Sequence, residues 1–469
     1  MYFYRGVATD PSERNSGRRY MPWFVHNIDT ASFTDLEDSL FNSLTLASGD
    51  FDNDGRVELA VSYPYYGLDR ERRVTIYGQA LPTAFSQGSG SEPWGIKGLR
   101  ELQTITPSDI DPEYLGKETF GIELTTGKLT SRANDDLLIG WSSARKKQFS
   151  SMSQQASGAV VHLRGLTANP NSDTTTPPLD VTTSIIIENP ASQSFPIPFP
   201  SGSSRHDFGS SISLVQGSLS GAFDTLVVGA PGYDSNRGRV YIYGNSVLGS
   251  IPRIPEILAT LEGEPNSRFG HSLASIYVDN TNAPNTNHST VVGAPNERNT
   301  ESRAIGAVYH YGLGFGTEVT IVERGRFTAP SHRLSSNMQW GYSLSVLGDG
   351  NDSNYEQIQV GIGAPGAESN QGLVFAWHPF TDSGDFSNSG ASLTAPRNNS
   401  RRYGEVISSI SFDTRHGFLI SAPRGIVNAQ ESGFVQARIN QESLTNSTWN
   451  SDRQLIHQGV KGDLLPENL

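Results

Sequence analysis

Residues 208–243 read FGSSISLVQGSLSGAFDTLVVGAPGYDSNRGRVYIY, and this stretch decides the fold. It opens on an aromatic–glycine pair, closes an apolar run with Gly229-Ala230-Pro231, and ends on Gly238-Arg239-Val240-Tyr241-Ile242-Tyr243. Alternation of β-branched and aromatic residues predicts a half-buried strand, and glycine and proline between such runs predict tight turns. The stretch therefore indicates short strands joined by turns.

The same unit recurs six times along the chain. Each copy begins with an aromatic residue followed by Gly or Asn, namely Phe41-Asn42, Phe120-Gly121, Phe208-Gly209, Phe269-Gly270, Trp340-Gly341 and Tyr403-Gly404. Each then closes an apolar run with a short triplet, namely Ser62-Tyr63-Pro64, Gly140-Trp141-Ser142, Gly229-Ala230-Pro231, Gly293-Ala294-Pro295, Gly363-Ala364-Pro365 and Ser421-Ala422-Pro423. A strand follows with a valine at a fixed point, namely Val74, Val160, Val240, Val308, Val374 and Val435. A weaker fourth strand precedes the next aromatic, as at 257–261 and 454–457.

Four-stranded units repeated in this way are typical of the blades of a β-propeller, because one such sheet cannot bury both of its faces alone. We therefore expect an all-β fold, a single β-propeller over residues 1–469 with seven blades, six of them full repeats and the seventh irregular; the alternative is a six-bladed or truncated ring. The full repeats are expected at about 41–110, 120–190, 208–263, 269–330, 340–398 and 403–460. Residues 1–40 are expected to give strands of an incomplete or closing blade.

The composition supports this fold and excludes several partners. The 469 residues include 48 Gly, 26 Pro and no Cys, which suits short strands joined by turns and excludes a disulfide framework. The net charge of −13 argues against nucleic acid and against an anionic membrane surface. No stretch approaches the roughly 20 apolar residues of a membrane helix, so we expect no membrane insertion. The first residues lack the features of a secretory signal.

The succession of an aromatic–glycine pair, an acidic loop, Gly-Ala-Pro and Gly-x-Val-Tyr-Ile-Tyr resembles the FG-GAP repeat. That repeat builds the seven-bladed head of integrin α subunits and the non-catalytic propeller of glycosylphosphatidylinositol-specific phospholipase D. The resemblance covers roughly residues 41–460 and is clearest at Phe208–Tyr243, Phe269–Tyr311 and Trp340–Trp377. It implies a propeller whose calcium loops lie on the face opposite the ligand face.

An acidic loop lies between the first aromatic residue and its triplet, with the sequence Asp50-Phe51-Asp52-Asn53-Asp54-Gly55-Arg56-Val57-Glu58. Carboxylates occupy positions 1, 3, 5 and 9, glycine at position 6 permits a sharp turn, and position 7 offers a carbonyl. Ca²⁺ takes six to eight oxygen ligands, and a tight turn lets alternate side chains converge on one point. The loop also matches the calcium loop of the FG-GAP repeat. The sequence therefore predicts a Ca²⁺ site formed by Asp50, Asp52, Asp54, Arg56 and Glu58.

The corresponding loops of the other repeats carry fewer oxygen ligands. The second loop keeps one acid and adds two cations, at Lys128, Thr130, Arg132 and Asp136. The fifth loop is a second, weaker candidate for a cation, through Asp349, Asn351 and Asp352. We therefore expect the chain to depend less on calcium than integrins do.

The sequence shows no converging catalytic set, and we expect a protein that is not an enzyme. The histidines lack metal-ligand spacing, and neither a Gly-x-Ser-x-Gly elbow nor a phosphate-binding P-loop is present. His271 and His310, which lie in the repeat motifs, are interpreted as structural.

The function expected from the resemblance is a recognition or adhesion module, extracellular or at the cell surface. It would bind a protein or glycan ligand on one propeller face. One alternative is a carbohydrate-binding propeller lectin, for which Trp94, Trp141 and Trp449 are the candidate sugar-stacking residues. The other is a non-catalytic accessory propeller of a larger phospholipase-like enzyme, whose catalytic region is absent from this chain.

Overall fold

A computed structural model describes the chain in segments. These are residues 2–6, 20–25, 45–66, 71–79, 99–130, 133–146, 158–167, 177–190, 206–219, 223–244, 256–277, 288–301, 303–315, 319–329, 335–347, 358–379, 391–394, 401–412, 415–424, 426–427, 430–431, 434–439 and 454–458. The chain divides into two compact units. The first comprises Met1–Ser201 with Val247–Ile254, and the second Gly202–Ser246 with Pro255–Leu469.

The first unit contains two four-stranded antiparallel sheets, called blades 1 and 2, and a separate strand pair. The pair is β1 (Tyr2–Gly6) with β2 (Tyr20–Val25). Blade 1 consists of β3 (Thr45–Gly49), β4 (Glu58–Tyr66), β5 (Glu71–Gln79) and β6 (Leu99–Ile105). After it come helix α1 (Pro107–Ile110), β7 (Tyr114–Leu115) and a 3₁₀ turn (Lys117–Thr119). Blade 2 consists of β8 (Phe120–Gly127), β9 (Asp136–Trp141), β11 (Ala159–Gly165) and β12 (Leu179–Glu188), and β10 (Arg145–Lys146) pairs with β7.

The second unit contains four more such sheets, blades 3 to 6. Blade 3 is β13 (Ser211–Leu219), β14 (Phe223–Ala230), β15 (Arg239–Gly244) and β16 (Glu256–Glu262). Blade 4 is β17 (Ser272–Ile276), β18 (His288–Ala294), β19 (Ala307–Phe315) and β20 (Val319–Phe327). Blade 5 is β21 (Ser343–Leu347), β22 (Gln359–Ala364), β23 (Leu373–Trp377) and β24 (Ala391–Thr394). Blade 6 is β25 (Ile407–Phe412), β26 (Arg415–Ala422), β29 (Phe434–Ile439) and β30 (Gln454–Gln458), with the small pair β27 (Ile426–Val427) and β28 (Gln430–Glu431).

Within each blade the four strands follow one another in chain order and pair antiparallel. The all-β fold class is therefore confirmed: the chain is a β-propeller protein, with six four-stranded blades among the residues that the structure describes. The expected seventh blade is represented there only by the pair β1–β2. That residues 1–469 form one continuous propeller stays a prediction. No helix in the described segments has the length and apolar character needed to cross a membrane.

Four of the aromatic residues that open the repeats lie in the core between consecutive blades of the same unit. Phe269, Trp340 and Tyr403 are fully buried. Each belongs to the same apolar cluster as the fixed valine of the preceding blade, namely Val240, Val308 and Val374. Phe120 and Val74 share a cluster in the first unit in the same way. The aromatic residue therefore packs between neighbouring blades.

The glycine of the Gly-Ala-Pro triplet permits a close contact between blades. A Cβ at Gly293 would lie 2.1 Å from the carbonyl oxygen of Gly341 in blade 5 and 2.2 Å from Ser272 Oγ. Ser272 donates to that same Gly341 oxygen at 2.7 Å. The equivalent serines donate in the same way, Ser211 to Gly270 at 2.6 Å and Ser343 to Gly404 at 2.8 Å. The repeat motif thus encodes one inter-blade hydrogen bond at each of the three junctions between blades 3 and 6.

Two connections in the second unit contain left-handed turns. Tyr233–Asn236 and Ala367–Asn370 each hold three consecutive residues with positive φ, between 45° and 69°. Their last residues accept hydrogen bonds from the next blade, since Arg268 N–H donates to Asn236 O and Arg402 N–H donates to Asn370 O, each at 2.8 Å. These turns therefore fasten the start of one blade to the preceding one.

Candidate metal centre

The acidic loop Asp50–Val57 joins the first two strands of blade 1, β3 and β4. Two of its residues adopt left-handed backbone conformations, Asn53 with φ 56° and Gly55 with φ 81°. A Cβ at Gly55 would meet nothing within 4 Å, so glycine is favoured here by its φ and not by lack of space. The left-handed residues turn the chain sharply, and alternate side chains of the loop face a common point.

Three carboxylates of the loop converge. Asp50, Asp52 and Glu58 each offer one oxygen, and these oxygens all lie within 4.8 Å of one another. Two ligands of one Ca²⁺ ion, each at about 2.3–2.6 Å, are separated by no more than about 5 Å. The donor set consists only of hard oxygens, which is the chemistry that Ca²⁺ prefers. The residues present therefore fit a calcium ion.

Backbone N–H groups hold the carboxylates of the loop in place. Asp50 accepts hydrogen bonds from the N–H groups of Asp54 and Gly55, both at 3.1 Å, and Asp52 accepts one from Asp54 at 3.2 Å. Glu58 Oε2 accepts from Phe51 N–H at 2.9 Å. These bonds orient the carboxylates locally, and so they lower the cost of ordering the loop around a cation.

The electrostatics of the loop favour a positive ion. Burial raises the pKa of Glu58 to about 7, against the hydrogen bond from Phe51, and the charges of Asp52, Asp54 and Asp50 raise it further. The pKa of Asp52 is also raised, first by burial and then by the charge of Asp54. The loop therefore concentrates more negative charge than its own hydrogen-bond donors compensate. A bound Ca²⁺ would neutralise these carboxylates and crosslink the turn between β3 and β4.

The remaining predicted ligands are Asp54, the Arg56 carbonyl and the residues of the weaker site in the fifth loop. Asp54 lies outside the converging group, and its Oδ1 accepts a hydrogen bond from Arg56 N–H at 2.8 Å. The role of the Arg56 carbonyl stays a prediction. The weaker candidate site at Asp349, Asn351 and Asp352 lies outside the described residues. The three carboxylates that converge are Asp50, Asp52 and Glu58, and ligation by Asp54 and by the Arg56 carbonyl stays a prediction.

Blade 2 contains the counterpart of this loop, with its carboxylate held by protein groups. Asp136 corresponds to Glu58, and Leu129 N–H donates to it at 3.2 Å as Phe51 N–H donates to Glu58. Asp136 is fully buried and also accepts from Thr130 N–H at 2.8 Å and from Gly165 N–H at 3.1 Å. His162 Nε2 lies 3.1 Å from Asp136 Oδ2. Thr130, which stands at the position of Asp52, thus donates to this carboxylate where blade 1 has a second carboxylate.

The sequence analysis missed two residues that contact the blade 1 loop from blade 2. Asp135 Oδ2 accepts from Asp50 N–H, and Asp135 N–H donates to Asp50 O, both at 2.9 Å. Asn134 Nδ2 donates to Phe51 O at 2.9 Å. The available signal was the polar run Asn134-Asp135-Asp136, which leads into β9 and brings two acidic residues to the start of a buried strand.

A second sequence expectation is corrected by burial. Trp141, a candidate sugar-stacking residue, is fully buried, and its Nε1 donates to Gly116 O at 2.7 Å. It packs edge-on against Phe120 with ring centroids 5.3 Å apart. Trp340 and Trp377 are also buried, so every tryptophan whose side chain the structure describes lies in the core. Trp94 and Trp449 lie outside the described residues.

Comparison with protein families finds a match in the first blade. The family model of the FG-GAP repeat matches residues 44–78, which contain β3, the acidic loop, β4 and most of β5. Blade 1 is therefore similar to an FG-GAP repeat. The expected resemblance to FG-GAP propellers is confirmed, and the acidic loop is the part of this FG-GAP repeat that joins its first two strands.

Relatives of the chain include integrin α subunits. It is 30% identical to human integrin alpha-D over 167 residues, which are 34% of this chain and 12% of the relative. It is 35% identical to integrin alpha-3 of Cricetulus griseus over 162 residues, 33% of this chain and 14% of the relative. It is 31% identical to mouse phosphatidylinositol-glycan-specific phospholipase D over 169 residues, 33% of this chain and 18% of the relative. The match spans less than a fifth of each relative.

Among solved structures, the chain is similar to a lectin of Aleuria aurantia in complex with a fucose-containing disaccharide. That likeness has 9% sequence identity and a TM-score of 0.40, and it covers 91% of this chain and 98% of the lectin. At this score the likeness carries no argument about function.

Proposed function

We propose that this protein is a calcium-binding FG-GAP propeller that acts as a recognition or adhesion module outside the cell or at its surface. The observation that supports the calcium part is the convergence of Asp50, Asp52 and Glu58 within 4.8 Å in the FG-GAP loop of blade 1. Calcium in this loop stiffens the first blade. The protein or glycan ligand binds on the propeller face opposite the loop.

The recognition part is supported by the relatives. Two integrin α subunits share about a third of this chain at 30% and 35% identity. The described residues include loops between β-strands. In propellers such loops carry the variable binding residues, and the strands form the rigid scaffold. The phospholipase D relative favours a second candidate, in which the propeller accompanies a catalytic domain without catalysing the reaction itself.

Calorimetric titration of the full chain with CaCl₂ tests the metal assignment. The unmodified protein should bind calcium in the loop, and Asp52→Ala should lose that event while the fold is retained. Asp111→Ala is the matched control, because Asp111 also accepts a backbone hydrogen bond, from Glu113 N–H at 2.8 Å, and lies outside the loop. Unchanged calcium stoichiometry in Asp52→Ala would overturn the assignment.

Ligand class is tested by binding the purified chain to arrays of glycans and of extracellular proteins, in millimolar calcium and again in chelator. Selective protein binding supports the adhesion module, and selective sugar binding supports the lectin. Because Trp141 is buried, we expect no contact between its side chain and a sugar, and its substitution should not selectively remove sugar binding. Binding to neither array would count against both recognition functions and leave the accessory propeller.

A further inference from the structure

The blade 1 loop is joined to blade 2 by a reciprocal pair of hydrogen bonds. Asp50 N–H donates to Asp135 Oδ2 at 2.9 Å, and Asp135 N–H donates back to Asp50 O at 2.9 Å. Asp50 is therefore fixed through both polar groups of its backbone by one residue of the next blade. Its own carboxylate is left to accept from Asp54 and Gly55 within the loop.

A second contact fixes the next residue of the loop. Asn134 is buried, and its Nδ2 donates to Phe51 O at 2.9 Å. The other end of the same amide, Oδ1, accepts from Thr167 Oγ1 at 2.9 Å. Phe51 is itself fully buried and sends its N–H to Glu58. Asn134 thus ties blade 2 to the residue that orients the Glu58 carboxylate.

The residues that make these contacts are themselves held without any cation. Asn134 and Asp135 directly precede Asp136, whose buried carboxylate is bonded to Thr130, Gly165 and His162. The two loops also approach very closely at Gly165, where an added Cβ would lie 2.4 Å from Asp135 O and 2.5 Å from Phe51 O. Since both of these atoms belong to the backbone, the approach can be kept only by glycine.

We infer that Asp135 of blade 2 is a positioning residue for the calcium site of blade 1, and that the metal-independent loop of blade 2 presets the cation affinity of its neighbour. This inference rests on the proposed calcium site. A preorganised loop binds more tightly because less ordering accompanies binding. Asp135 acts through the Asp50 backbone, and no contact between Asp135 and a cation is needed.

The test compares calcium titrations of Asp135→Ala, Asp135→Asn and the control Asp111→Ala in the full chain. Asp135→Ala removes the acceptor of Asp50 N–H and should weaken calcium binding roughly tenfold, the effect of one lost hydrogen bond of ordinary strength. Asp135→Asn keeps an acceptor oxygen at the same place and should restore most of the affinity. Asp111→Ala removes an equal charge elsewhere and should leave the affinity unchanged.

A second readout needs no calcium. In chelator, hydrogen exchange at the amides of residues 50–55 should be faster in Asp135→Ala than in the unmodified chain, and Asp135→Asn should return it toward the original rate. Melting in chelator shows that each variant is folded. If the unmodified chain binds calcium and Asp135→Ala binds it equally well, the inference is overturned and the proposed function stands. If the unmodified chain binds no calcium, both are overturned.

Discussion

Ser272 of blade 4 donates its hydroxyl to the carbonyl oxygen of Gly341 in blade 5 at 2.7 Å, directly over the Cα of Gly293. The serine lies opposite Gly293 in the β17–β18 register. The aromatic–glycine pair of one blade and the Gly-Ala-Pro triplet of the preceding blade are therefore two sides of a single contact. This is a physical reason for glycine at both places.

Gly293→Ala should destabilise the protein by about 3 kcal/mol, because the new Cβ would collide with backbone that cannot move away without separating the blades. Ser272→Ala should cost less, about 1 kcal/mol, as one hydrogen bond is lost. Denaturant unfolding measures both. The double variant removes the clash with Ser272 Oγ and keeps the clash with Gly341 O, so it should stay close to Gly293→Ala. Full stability of Gly293→Ala would contradict this account.

The stability of the metal-free protein should depend on pH through Glu58. Its folded pKa of about 7 lies above the ordinary value of 4.5, so the folded state holds this proton more tightly than the unfolded chain. In chelator the free energy of unfolding should therefore fall as pH rises between these two values. The charges that face this carboxylate are Asp50, Asp52 and Asp54 from its own loop, with Asp135 adjoining Asp50 from blade 2.

Calcium should reverse this trend, since the ion replaces the proton on Glu58. The difference between the melting temperatures in calcium and in chelator should widen as pH rises from about 5 to about 7.5. Melting curves at four pH values in both buffers measure it. Glu58→Gln, which keeps the shape and removes the titrating proton, should give a difference close to zero at every pH. A pH-independent calcium effect in the unmodified protein would show that Glu58 is not a ligand.

His162→Ala should destabilise the protein in chelator, and by at least as much in calcium, because the blade 2 loop anchored by Asp136 positions the calcium site. The variant leaves the fully buried Asp136 with its donors from Thr130 and Gly165 but without the imidazole. Removing one partner of a buried charge that keeps other hydrogen bonds should cost about 2 kcal/mol. Denaturant unfolding in the two buffers measures the loss. A loss that appears only in chelator would mean that blade 2 also binds the ion.

In blade 1, Arg72 contributes to the inter-blade contact that the glycine of the triplet permits in other blades. Ser62 stands where the second to fifth repeats have glycine, and the buried Arg72 donates to Ser62 Oγ at 3.2 Å and to Gly121 O at 3.5 Å. Arg72→Met should therefore destabilise the junction between blades 1 and 2 by about 2 kcal/mol, measured by unfolding. Arg100→Met, at an exposed position in the same blade, is the control and should be near neutral. An equal effect of the two variants would exclude this role.

The sequence alone predicted the blades and the acidic loop because both depend on residues that are close along the chain. Alternation in Val240-Tyr241-Ile242-Tyr243 specifies a strand locally, and its sixfold recurrence identifies stacked sheets. The three converging carboxylates Asp50, Asp52 and Glu58 lie within nine residues, so a single tight turn is enough to bring them together. Glycine at position 55 supplies the backbone conformation that the turn requires.

Only the tertiary structure decided what surrounds that loop. Asp50 and Asp135 are 85 residues apart, and no local pattern joins them. His162 becomes the partner of Asp136 only when β11 pairs with β9, and Trp141 is removed from the surface when it packs against Tyr114 and Phe120. Short-range geometry follows from backbone preferences that each residue carries with it, whereas contacts between blades depend on packing of the whole chain. The sequence therefore determined the residues that are predicted as ligands of the candidate site, and the fold determined the residues that hold them.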